Sequence, residues 1–571
     1  MAHYQPDTQD ALFLMQKVAR APQLLADLAA FADVDADLVN QVLGEAARFV
    51  GEVIAPLQAV GDRVGARWQD GRVSMPPGFR EAYQAFWQAG WPALSAAPED
   101  GGQGLPSVLE AVLYEWLSAA NHGWTMAPGL LHGAYECIKH HASDELKAQY
   151  LSKLATGQWL ATMCLTEPQA GSDLGLVQTR ATPLADGRYT LSGTKIFISG
   201  GEHDLSDNIV HLVLARLPDA PPGPKGLSLF LVPKFYADGS RSAVHCERIE
   251  EKMGLHGSPT CVMRFDQARA SIVGEPGKGL NAMFLMMNAA RLHVALQGIG
   301  LLEAAWQKAH AYALERRQMR APGGGKSAGQ ADLIAEHPAV QRILDTQRAW
   351  IDAGRVLAYR TALELDIGKH HGDAGRRAQA QRWCSLITPV LKSAWTEQGF
   401  TGASACLQVL GGHGYISEWG IEQIVRDARV AMIYEGTNEI QAIDLLVRKV
   451  LADGGLSLGA LLEELQTTLN TAGRLRVDQL REATAQLLAA QAIDPALPYA
   501  VADDYLRALA LVLLDWGWAQ IQAEPEAAVP RWRAPAQALQ RHVLPEFGMR
   551  LDIIRQRCQE TGVPQRRAEP A

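Results

Sequence analysis

One carboxylate, Glu435, stands in a short turn sequence, Tyr-Glu-Gly-Thr, directly before a stretch with the spacing of a helix. The apolar residues of that stretch are Ile440, Ile443, Leu446, Val447 and Val450. Thr437 and Asn438 are of the types that favour a helix N-cap, and Gly436 lets the backbone approach a ligand closely. A carboxylate fixed on a rigid element but directed away from it has the placement of a general base. An isolated Glu-Gly-Thr is more often an ordinary solvated turn, so this interpretation depends on the motifs elsewhere in the chain.

The composition is that of an ordinary globular protein. With 571 residues, 48% of them hydrophobic and 20% charged, the chain is expected to form about three to four domains. The net charge of -9 argues against nucleic acid as a partner. The seven cysteines are scattered and lack zinc-binding spacing, which indicates buried thiols in a reducing compartment and no metal site. The N-terminus lacks a signal-peptide pattern and no segment is apolar over a membrane-spanning length, so a cytoplasmic protein is expected.

The residue pattern divides the chain into four predicted domains. Residues 1–159 are mostly of helical spacing, and residues 160–280 contain short β-branched runs separated by turns. Residues 281–453 carry long helical stretches typical of a bundle, and residues 454–571, which begin with a Gly-Gly pair, are again helical. The strand candidates are 189–199, 209–217, 227–232 and 261–265, and the longest helical stretches are 292–317, 338–365, 378–410 and 534–559. The predicted fold is therefore mainly α with a central β-domain.

Five further motifs accompany the Glu435 turn. They are Met163 to Asp173 (Met-Cys-Leu-Thr-Glu-Pro-Gln-Ala-Gly-Ser-Asp), Gly193 to Ser199 (Gly-Thr-Lys-Ile-Phe-Ile-Ser), Met287 to Leu292 (Met-Asn-Ala-Ala-Arg-Leu), Tyr312 to Met319 (Tyr-Ala-Leu-Glu-Arg-Arg-Gln-Met) and Gln408 to Tyr415 (Gln-Val-Leu-Gly-Gly-His-Gly-Tyr). Arginine pairs with phosphate oxygens, paired glycines allow close backbone approach to a dinucleotide, and an aromatic residue can stack. The Gly-Gly motif is not the Rossmann fingerprint, because its spacing differs and no strand-helix unit surrounds it.

These motifs, in this order on helical, β and helical segments, resemble the acyl-CoA dehydrogenase family of flavoproteins over residues 40 to 450. The added C-terminal domain and a Gly-rich insertion from Ala321 to Gly329 resemble its longer bacterial subgroup, which includes 3-methylmercaptopropionyl-CoA and broad-range fatty acyl-CoA dehydrogenases. The resemblance implies a helical N-terminal domain, a small β-barrel and a helical bundle, with an extra C-terminal helical domain. Met163 and Met319 stand where the family often has an aromatic residue, and Phe-Ile-Ser at 197–199 replaces its usual Trp-Ile-Thr.

The resemblance also implies a set of binding residues. Those expected to contact FAD are Met163, Leu165, Thr166, Gly171, Ser172, Phe197, Ser199, Arg316, Gln318, Gln408, Gly411, Gly412, Thr437 and Glu439. Those expected to contact the acyl-CoA are Ser172, Asn288, Arg291, Tyr434 and Gly436. The family usually has an aspartate at the position of Asn288. Some members carry their catalytic glutamate beside the arginine matched by Arg291, but the neighbour here is Ala290, which leaves Glu435 as the candidate base.

The reaction implied is α,β-dehydrogenation of an acyl-CoA to the trans-2-enoyl-CoA, with Glu435 removing the α-proton and the β-hydrogen leaving as hydride to the flavin. In the family, the backbone N–H of the base and a ribityl hydroxyl of FAD stabilise the enolate. Electrons are then expected to pass to an electron-transfer flavoprotein, and FAD bridging between subunits implies at least a homodimer. Acyl chain length, thioether specificity, dimer versus tetramer and a peripheral membrane contact of the last domain remain open.

Three alternatives share this fold. An acyl-CoA oxidase runs the same chemistry with dioxygen as acceptor and forms hydrogen peroxide. A DNA-associated flavoprotein would need a basic patch, and the C-terminal arginines at 531, 533, 541, 550, 555, 557, 566 and 567 are interleaved with acidic residues. A scaffold that has lost catalysis is disfavoured because the candidate base and the flavin motifs are all present.

Overall fold

The computed structural model describes residues 3–322 and 330–562, without the side chains of Leu285, Asn288 and Ala289. Its α-helices are α1 (Thr8–Leu12), α2 (Ala21–Ala26), α3 (Ala36–Phe49), α4 (Gln58–Val64), α5 (Phe79–Gln88), α6 (Ser107–Thr125), α7 (Leu131–His141), α8 (Asp144–Ala155), α9 (Gly279–Glu315), α10 (Pro338–His370), α11 (Ala374–Val409), α12 (Ile421–Ala428), α13 (Asn438–Ile443), α14 (Leu456–Gln466), α15 (Thr471–Ala490), α16 (Leu497–Ala500), α17 (Ala502–Ala523), α18 (Pro530–Ala538) and α19 (Glu546–Glu560). Short 3-10 and π-helical segments extend or connect several of them. Arg566, Arg567 and residues 323–329 of the Gly-rich insertion lie outside the described residues.

The strands are β1 (Arg67–Gln69), β2 (Arg72–Ser74), β3 (Leu160–Cys164), β4 (Arg180–Pro183), β5 (Tyr189–Ser199), β6 (Ile209–Arg216), β7 (Leu227–Pro233), β8 (Val244–Ile249) and β9 (Thr260–Val273). The order β6-β4-β5-β9-β7 returns to β6, because β6 also pairs with β7, and so these five strands close into a ring. β3 runs parallel to β6, and β8 is antiparallel to β9. The predicted strands are therefore confirmed, as is the small β-barrel.

Alternating residues of the barrel strands point into one apolar core. Its buried members are Val73, Cys164, Ala181, Leu191, Ile198, Val213, Ala215, Phe230, Val232, Val244, Cys246, Cys261, Met263, Phe265, Ala268 and Ala270. The period of two residues between inward-facing side chains is what a strand with one buried face requires. The long central strand β6 has seven consecutive buried residues, which is typical of a strand covered on both faces.

Two compact units divide the chain. Unit 1 contains Asp7–Ala36 and, in its described part, the chain from Val294 onward; unit 2 contains His3–Pro6 and Asp37–His293. The early segment Asp7–Ala36 packs against the rest of unit 1. The rings of Phe13 and Trp532, for example, lie 4.9 Å apart. The division into four domains at 159, 280 and 453 remains a prediction.

In unit 2, helix α6 is buried along almost its whole length, from Val108 to Thr125. It bends at Asn121, whose backbone is non-helical with φ -160° and ψ 88°. The amide oxygen of Asn121 accepts a hydrogen bond from the backbone N–H of Trp124 at 3.1 Å, so this side chain caps the continuing turn.

A small hairpin interrupts the part of unit 2 for which helical structure was predicted. Gln69 pairs with Arg72, so Asp70 and Gly71 form a two-residue loop. Both have positive φ, 49° and 78°, as a type I′ turn requires. The strands are three residues long, too short to produce a recognisable alternation, although the Asp-Gly pair itself was a hairpin signal.

In unit 1, α10 and α11 lie side by side, and the C-terminal helix α17 packs against them. The indole N–H of Trp395 donates to the carbonyl of Trp350 at 2.9 Å, and that of Trp518 donates to the carbonyl of Ala349 at 2.9 Å. The helix predicted at 534–559 is divided into α18, a π-helical segment and α19. The break before α19 lies at Pro545, which has no N–H for the preceding turn.

The mainly α fold with a central β-domain is thus confirmed. None of the helices in the described residues is long and apolar enough to cross a membrane. Within the same residues, no group of three or more His, Cys, Asp or Glu side chains is arranged to hold a metal ion. All seven cysteines are free thiols, and six of them are buried.

Candidate active site

Glu435 lies in a turn whose backbone conformation is unusual. Its φ is 55°, in the left-handed region that L-residues other than glycine seldom adopt, and Gly436 follows with φ 83°. Thr437 then caps α13, because its hydroxyl oxygen accepts from the backbone N–H of Ile440 at 3.3 Å. The predicted helix and N-cap are confirmed. A strained conformation at one carboxylate persists only when its surroundings hold it in place, and such positions concentrate at functional sites.

Side chains from two helices hold this turn. Gln441 of α13 donates to the carbonyl of Glu435 at 2.8 Å, and Lys392 of α11 donates to the carbonyl of Gly436 at 2.7 Å. The same ammonium group donates to the amide oxygen of Asn438 at 3.0 Å. Lys392 and Gln441 are 0% exposed, so both backbone carbonyls are fixed from within the protein.

Tyr434, which precedes the candidate base, is also fixed by a partner. Its hydroxyl donates a short hydrogen bond to the side-chain oxygen of Gln297 in α9. Burial, and then the negative charge of Glu435, raise the pKa of Tyr434 above its ordinary value. The hydroxyl therefore stays protonated at neutral pH and remains a donor.

In unit 2, the loop after β3 is organised around Glu167. Its carboxylate accepts from the Lys195 ammonium at 2.8 Å, and from the backbone N–H groups of Gln178 at 2.8 Å and Thr179 at 3.0 Å. Burial alone raises the pKa of Glu167, but the Lys195 charge and these hydrogen bonds outweigh it and lower the pKa to about 2. Lys195 also donates to the carbonyl of Leu165 at 3.0 Å, so the ion pair holds the start of the loop.

The first two flavin motifs meet in unit 2. The backbone N–H of Ile196 in β5 donates to the carbonyl of Thr166 at 2.9 Å. The next residue, Phe197, is 60% exposed and has φ 59°. Thr166 is half-buried, Ser172 is exposed, and a side chain at Gly171 would meet open space. The loop after β3 and the strand β5 are thus joined next to an exposed aromatic ring.

The remaining members of these motifs differ in exposure. Met163 is buried on β3, whereas Leu165 and Ser199 are half-buried. Arg291 lies in α9 with 8% exposure. Asn288 lies outside the side chains that the structure describes.

In unit 1, the end of α9 and the end of α11 are brought together. The hydroxyl of Tyr312 lies 2.9 Å from Nδ1 of His413, and the His413 ring stacks on Trp419 at 4.5 Å. The candidate cofactor residues around this contact are all exposed: Arg316, Gln318, Gln408, Gly411 and Gly412. An added Cβ at Gly411 or Gly412 would have no atom within 4 Å, so the backbone there is open to a ligand.

The donor set of each unit fits FAD, which the motifs imply. The exposed guanidinium of Arg316 suits a pyrophosphate, and the open backbone at Gly411 and Gly412 allows a nucleoside to approach closely. The exposed ring of Phe197 can pack on the isoalloxazine, and the hydroxyl of Thr166 can form a hydrogen bond with it.

Several residues that shape the site were not assigned a role from the sequence. They are Lys195 and Glu167 in unit 2 and Gln297, Lys392 and Gln441 in unit 1. A signal existed for Lys392, which is a lone charged residue in the otherwise uncharged run Cys384 to Thr396. Charged residues are seldom fully buried without a partner, so such a position indicates a specific contact.

Three acyl-CoA dehydrogenase family models match the chain. The N-terminal domain model covers residues 39–158, the middle domain model 162–268 and the C-terminal domain model 277–450. The chain is 43% identical over 545 residues to the 3-methylmercaptopropionyl-CoA dehydrogenase of Ruegeria pomeroyi, with 92% of both chains covered. It is 34% identical over 503 residues to the broad-specificity linear acyl-CoA dehydrogenase FadE5 of Mycobacterium tuberculosis, covering 84% of this chain and 81% of that protein.

The fold also matches that of a solved relative. The structure of an acyl-CoA dehydrogenase complexed with FAD from Bacillus anthracis superimposes with a TM-score of 0.71 at 22% identity, covering 94% of this chain and 90% of the other. Together with the family models and the relatives, this likeness agrees with the motifs and geometry described above. The chain belongs to the acyl-CoA dehydrogenase family and is an FAD-dependent oxidoreductase.

Proposed function

We propose that this protein catalyses α,β-dehydrogenation of an acyl-CoA thioester to the trans-2-enoyl-CoA, with Glu435 as the base that removes the α-proton. The observation that carries the proposal is the conformation of Glu435, held in the left-handed region by hydrogen bonds to its own carbonyl and to that of Gly436. FAD, when bound, supplies the acceptor for the β-hydrogen as hydride. Tyr434, fixed by Gln297, and the small Gly436 are proposed to contact the thioester beside the base.

The binding roles that the motifs imply are part of this proposal. Unit 2 would contribute Met163, Leu165, Thr166, Gly171, Ser172, Phe197 and Ser199 to FAD, and Ser172, Asn288 and Arg291 to the acyl-CoA. Unit 1 would contribute Arg316, Gln318, Gln408, Gly411, Gly412, Thr437 and Glu439 to FAD. Six of the described side chains in this set are exposed and four are half-buried, and the glycine backbone is open, which supports the assignment.

For the acyl group, we propose a short or medium linear chain, with 3-methylmercaptopropionyl-CoA as the first candidate. The relative with 43% identity carries that substrate in its name, and the match extends over 92% of both chains. The other long relative is named for broad specificity toward linear acyl groups, so a panel of chain lengths belongs in the same test.

An electron-transfer flavoprotein is proposed as the electron acceptor, and a homodimer as the smallest assembly. The assembly is supported by the exposed surface of unit 1 beside the open glycines, where Met319 is 78% exposed and Tyr415 is 84% exposed. Apolar and aromatic side chains exposed to this extent beside a nucleotide-binding motif are typical of surfaces that become covered.

The C-terminal arginines give little support to the DNA-associated alternative. Arg550 pairs with Asp504 at 2.8 Å, Arg531 pairs with Asp352 at 2.8 Å, and Arg557 pairs with Glu560 at 2.7 Å. Guanidinium groups that are already neutralised in this way contribute little to a phosphate-binding surface.

The test is an anaerobic titration of the purified protein with a panel of acyl-CoAs while the flavin absorbance is recorded. The proposal expects bleaching of the flavin, and the thioester that bleaches it best identifies the acyl class. Aerobic assays with and without electron-transfer flavoprotein then separate a dehydrogenase from an oxidase, which would form hydrogen peroxide. A yellow protein that no thioester bleaches would leave the family assignment intact and refute the proposed reaction.

The base is tested by Glu435→Gln. This variant should retain FAD but lose turnover by about 10²–10⁴-fold, the usual contribution of a general base. Glu463→Gln, at an exposed residue of α14, is the matched control and should behave as the unaltered protein. Near-normal turnover of Glu435→Gln would show that another group removes the proton.

A further inference from the structure

The ammonium group of Lys392 contacts the turn that carries the candidate base. Lys392 lies in the middle of α11 and is 0% exposed, and its sequence neighbour Leu391 is equally buried. Its Nζ donates to the carbonyl of Gly436 at 2.7 Å and to the amide oxygen of Asn438 at 3.0 Å. Both acceptors belong to the segment that follows Glu435, so a buried cation of the bundle is directed at this one turn.

Asn438 is itself oriented for this contact. Its amide nitrogen donates to the carbonyl of Ser393 at 3.1 Å, and its oxygen accepts from Thr396 at 3.2 Å as well as from Lys392. Three residues of α11 therefore hold the start of α13 through one side chain. The arrangement locks the first turn of α13 onto α11, and Thr437 and Gly436 lie immediately before that locked turn.

A hydrogen bond alone does not account for the residue type at 392. Burial of an ammonium group is costly, and a neutral amide could satisfy one carbonyl oxygen at a much lower cost. What lysine adds is a positive charge and three donors at one point. The charge acts on this turn, since it contributes, after hydrogen bonds from the backbone and Thr437, to the lowering of the pKa of Glu439.

The turn has little freedom to find another conformation. A Cβ at Gly436 would lie 2.9 Å from the amide nitrogen of Gln441, and Gln441 in turn donates to the carbonyl of Glu435. The two consecutive carbonyls at 435 and 436 are thus held by two different buried donors. Loss of either donor would allow the strained φ of Glu435 to relax toward a commoner region.

We infer that Lys392 is a positioning residue for the reaction: it holds the Glu435–Gly436 peptide so that the carboxylate is presented to the α-carbon of the acyl-CoA. This inference rests on the proposed role of Glu435. Lys392 is proposed to act through its contacts with this turn and not by touching substrate or cofactor. Its loss should therefore slow proton removal specifically, without weakening the binding of acyl-CoA or FAD.

The test uses Lys392→Met in the full-length holoprotein. Methionine keeps most of the length and volume of lysine but has no charge and no donor. We expect kcat to fall by about 10²-fold, as small misplacements of catalytic groups do, while KM and the FAD content stay close to those of the unaltered protein. With an acyl-CoA deuterated at the α-carbon, the isotope effect on kcat should increase, because proton removal becomes the slow step.

Lys449→Met is the matched control. Lys449 donates to the backbone carbonyl of Ser385 at 2.7 Å, so the control removes a similar bond from the same bundle without touching the turn. It should leave kcat and the isotope effect unchanged. Should Lys392→Met fail to fold, Lys392→Gln, which retains one donor but no charge, takes its place with the same measurements.

The outcomes separate this inference from the proposed function. If Glu435→Gln is inactive while Lys392→Met turns over normally, the positioning role is refuted and the base stands. If kcat, FAD content and thermal stability of Lys392→Met fall together with no change in the isotope effect, the residue is merely structural, and the inference is again refuted. If Glu435→Gln itself remains active, the proposed function fails and this inference fails with it.

Discussion

The ammonium nitrogen of Lys195 lies 2.8 Å from a carboxylate oxygen of Glu167, with the two side chains 0% and 4% exposed. Glu167 belongs to the Thr-Glu-Pro motif, but its oxygens face into the protein, where Thr179 and Gln178 complete its hydrogen bonds. The acidic residue of this flavin motif is therefore used to shape the loop. Its neighbour Thr166 is left half-buried and accessible to a ligand.

The first prediction is that Glu167→Gln destabilises the protein and reduces its FAD content. The substitution leaves the Lys195 ammonium buried without its counter-charge, which costs about 3–5 kcal/mol in comparable sites. The loop that starts at Leu165 should loosen, because Lys195 donates to that carbonyl as well. Urea midpoints and flavin-to-protein absorbance ratios measure the two effects.

The double variant Glu167→Gln with Lys195→Met provides the control for this prediction. Removal of both charges should make it more stable than Glu167→Gln alone, because no unpaired charge remains. Asp186→Asn, which breaks the exposed pair of Asp186 with Arg188, should leave the urea midpoint unchanged. A double variant no more stable than Glu167→Gln would show that the unpaired Lys195 charge is not what destabilises the single variant.

The second prediction concerns the strained aromatic residue. Phe197→Gly should leave the unfolding free energy within about 1 kcal/mol of that of the unaltered protein, because relief of the left-handed φ offsets the entropy that glycine adds to the unfolded chain. FAD should nevertheless bind more weakly, since the 60% exposed ring is proposed to pack on the flavin. FAD titration of the apoprotein, followed by flavin fluorescence, measures the dissociation constant.

Gln267→Gly is the matched variant for Phe197→Gly. Gln267 is exposed in β9 and has φ 53°, so the substitution brings the same relief of strain outside the proposed site. Its FAD dissociation constant should be that of the unaltered protein. If both glycine variants bind FAD equally well, Phe197 does not contact the flavin.

The parts of the fold that the sequence could predict are those set by residues close together in the chain. The N-cap at Thr437 and the strand at 189–199 depend on neighbouring residues, and both were predicted from residue types and spacing. The hairpin at Asp70 and Gly71 was missed because its strands are too short for a period to be recognised. The π-helical segments were also missed, since a helical period cannot distinguish them from an α-helix.

The contacts that hold the candidate site could not be predicted, because their partners are distant in sequence. Lys392 and Gly436 are 44 residues apart, and Tyr434 and Gln297 are 137 apart. Motifs identify residues that face a ligand, whereas the residues behind them are recognised only once the helices are packed. The mixed charges of the C-terminal region illustrate the same limit, because their alternation along the sequence does not show that Arg531 pairs with the buried Asp352.

The third prediction is that stability declines as pH falls below about 6.5. Burial lowers the pKa of His122 to about 4, and lowers those of His203 and His211 to about 3, with the charge of Lys234 adding to the last two. Their ordinary value is 6.5, so between that pH and about 3 the unfolded chain binds more protons than the folded one. Stability is therefore fully present above pH 6.5 and is lost as the pH decreases.

Buried carboxylates extend this loss to lower pH. Burial raises the pKa values of Glu110 and Asp352, but His132 beside Glu110, and Arg348 and Arg531 beside Asp352, outweigh it and lower both values to about 2. The contribution of Glu110 is therefore lost between about pH 4.5 and pH 2, and that of Asp352 between about pH 3.8 and pH 2. Urea midpoints measured from pH 8 to pH 4 test the loss of stability that the buried histidines are expected to cause. His211→Gln should reduce the slope of the urea midpoint against pH below pH 6.5.

The fourth prediction is that Arg531 secures the helices after residue 453 to α10. Its guanidinium lies 2.8 Å from Asp352 of α10, and its Nε lies 3.1 Å from Asp10 of the early segment. Asp352 also pairs with Arg348 at 2.7 Å, and the Arg531 plane lies 4.0 Å from the ring of Trp532. In Arg531→Met, the carboxylates of Asp10 and Asp352 would each lose a positively charged partner. We therefore expect the unfolding free energy to fall by about 3–5 kcal/mol.

The effect of Arg531→Met should be confined to stability. The cluster of Asp10, Arg348, Asp352 and Arg531 contains none of the residues proposed to contact FAD or acyl-CoA, so kcat per bound FAD should remain that of the unaltered protein at 25 °C. Arg557→Met is the control, because its pair with Glu560 is half-exposed on both sides and should be worth less than about 0.5 kcal/mol. Equal urea midpoints for the two variants would mean that the buried cluster does not hold the helices after residue 453 in place. In that case the apolar contacts of Trp532 and Trp518 would have to supply the attachment.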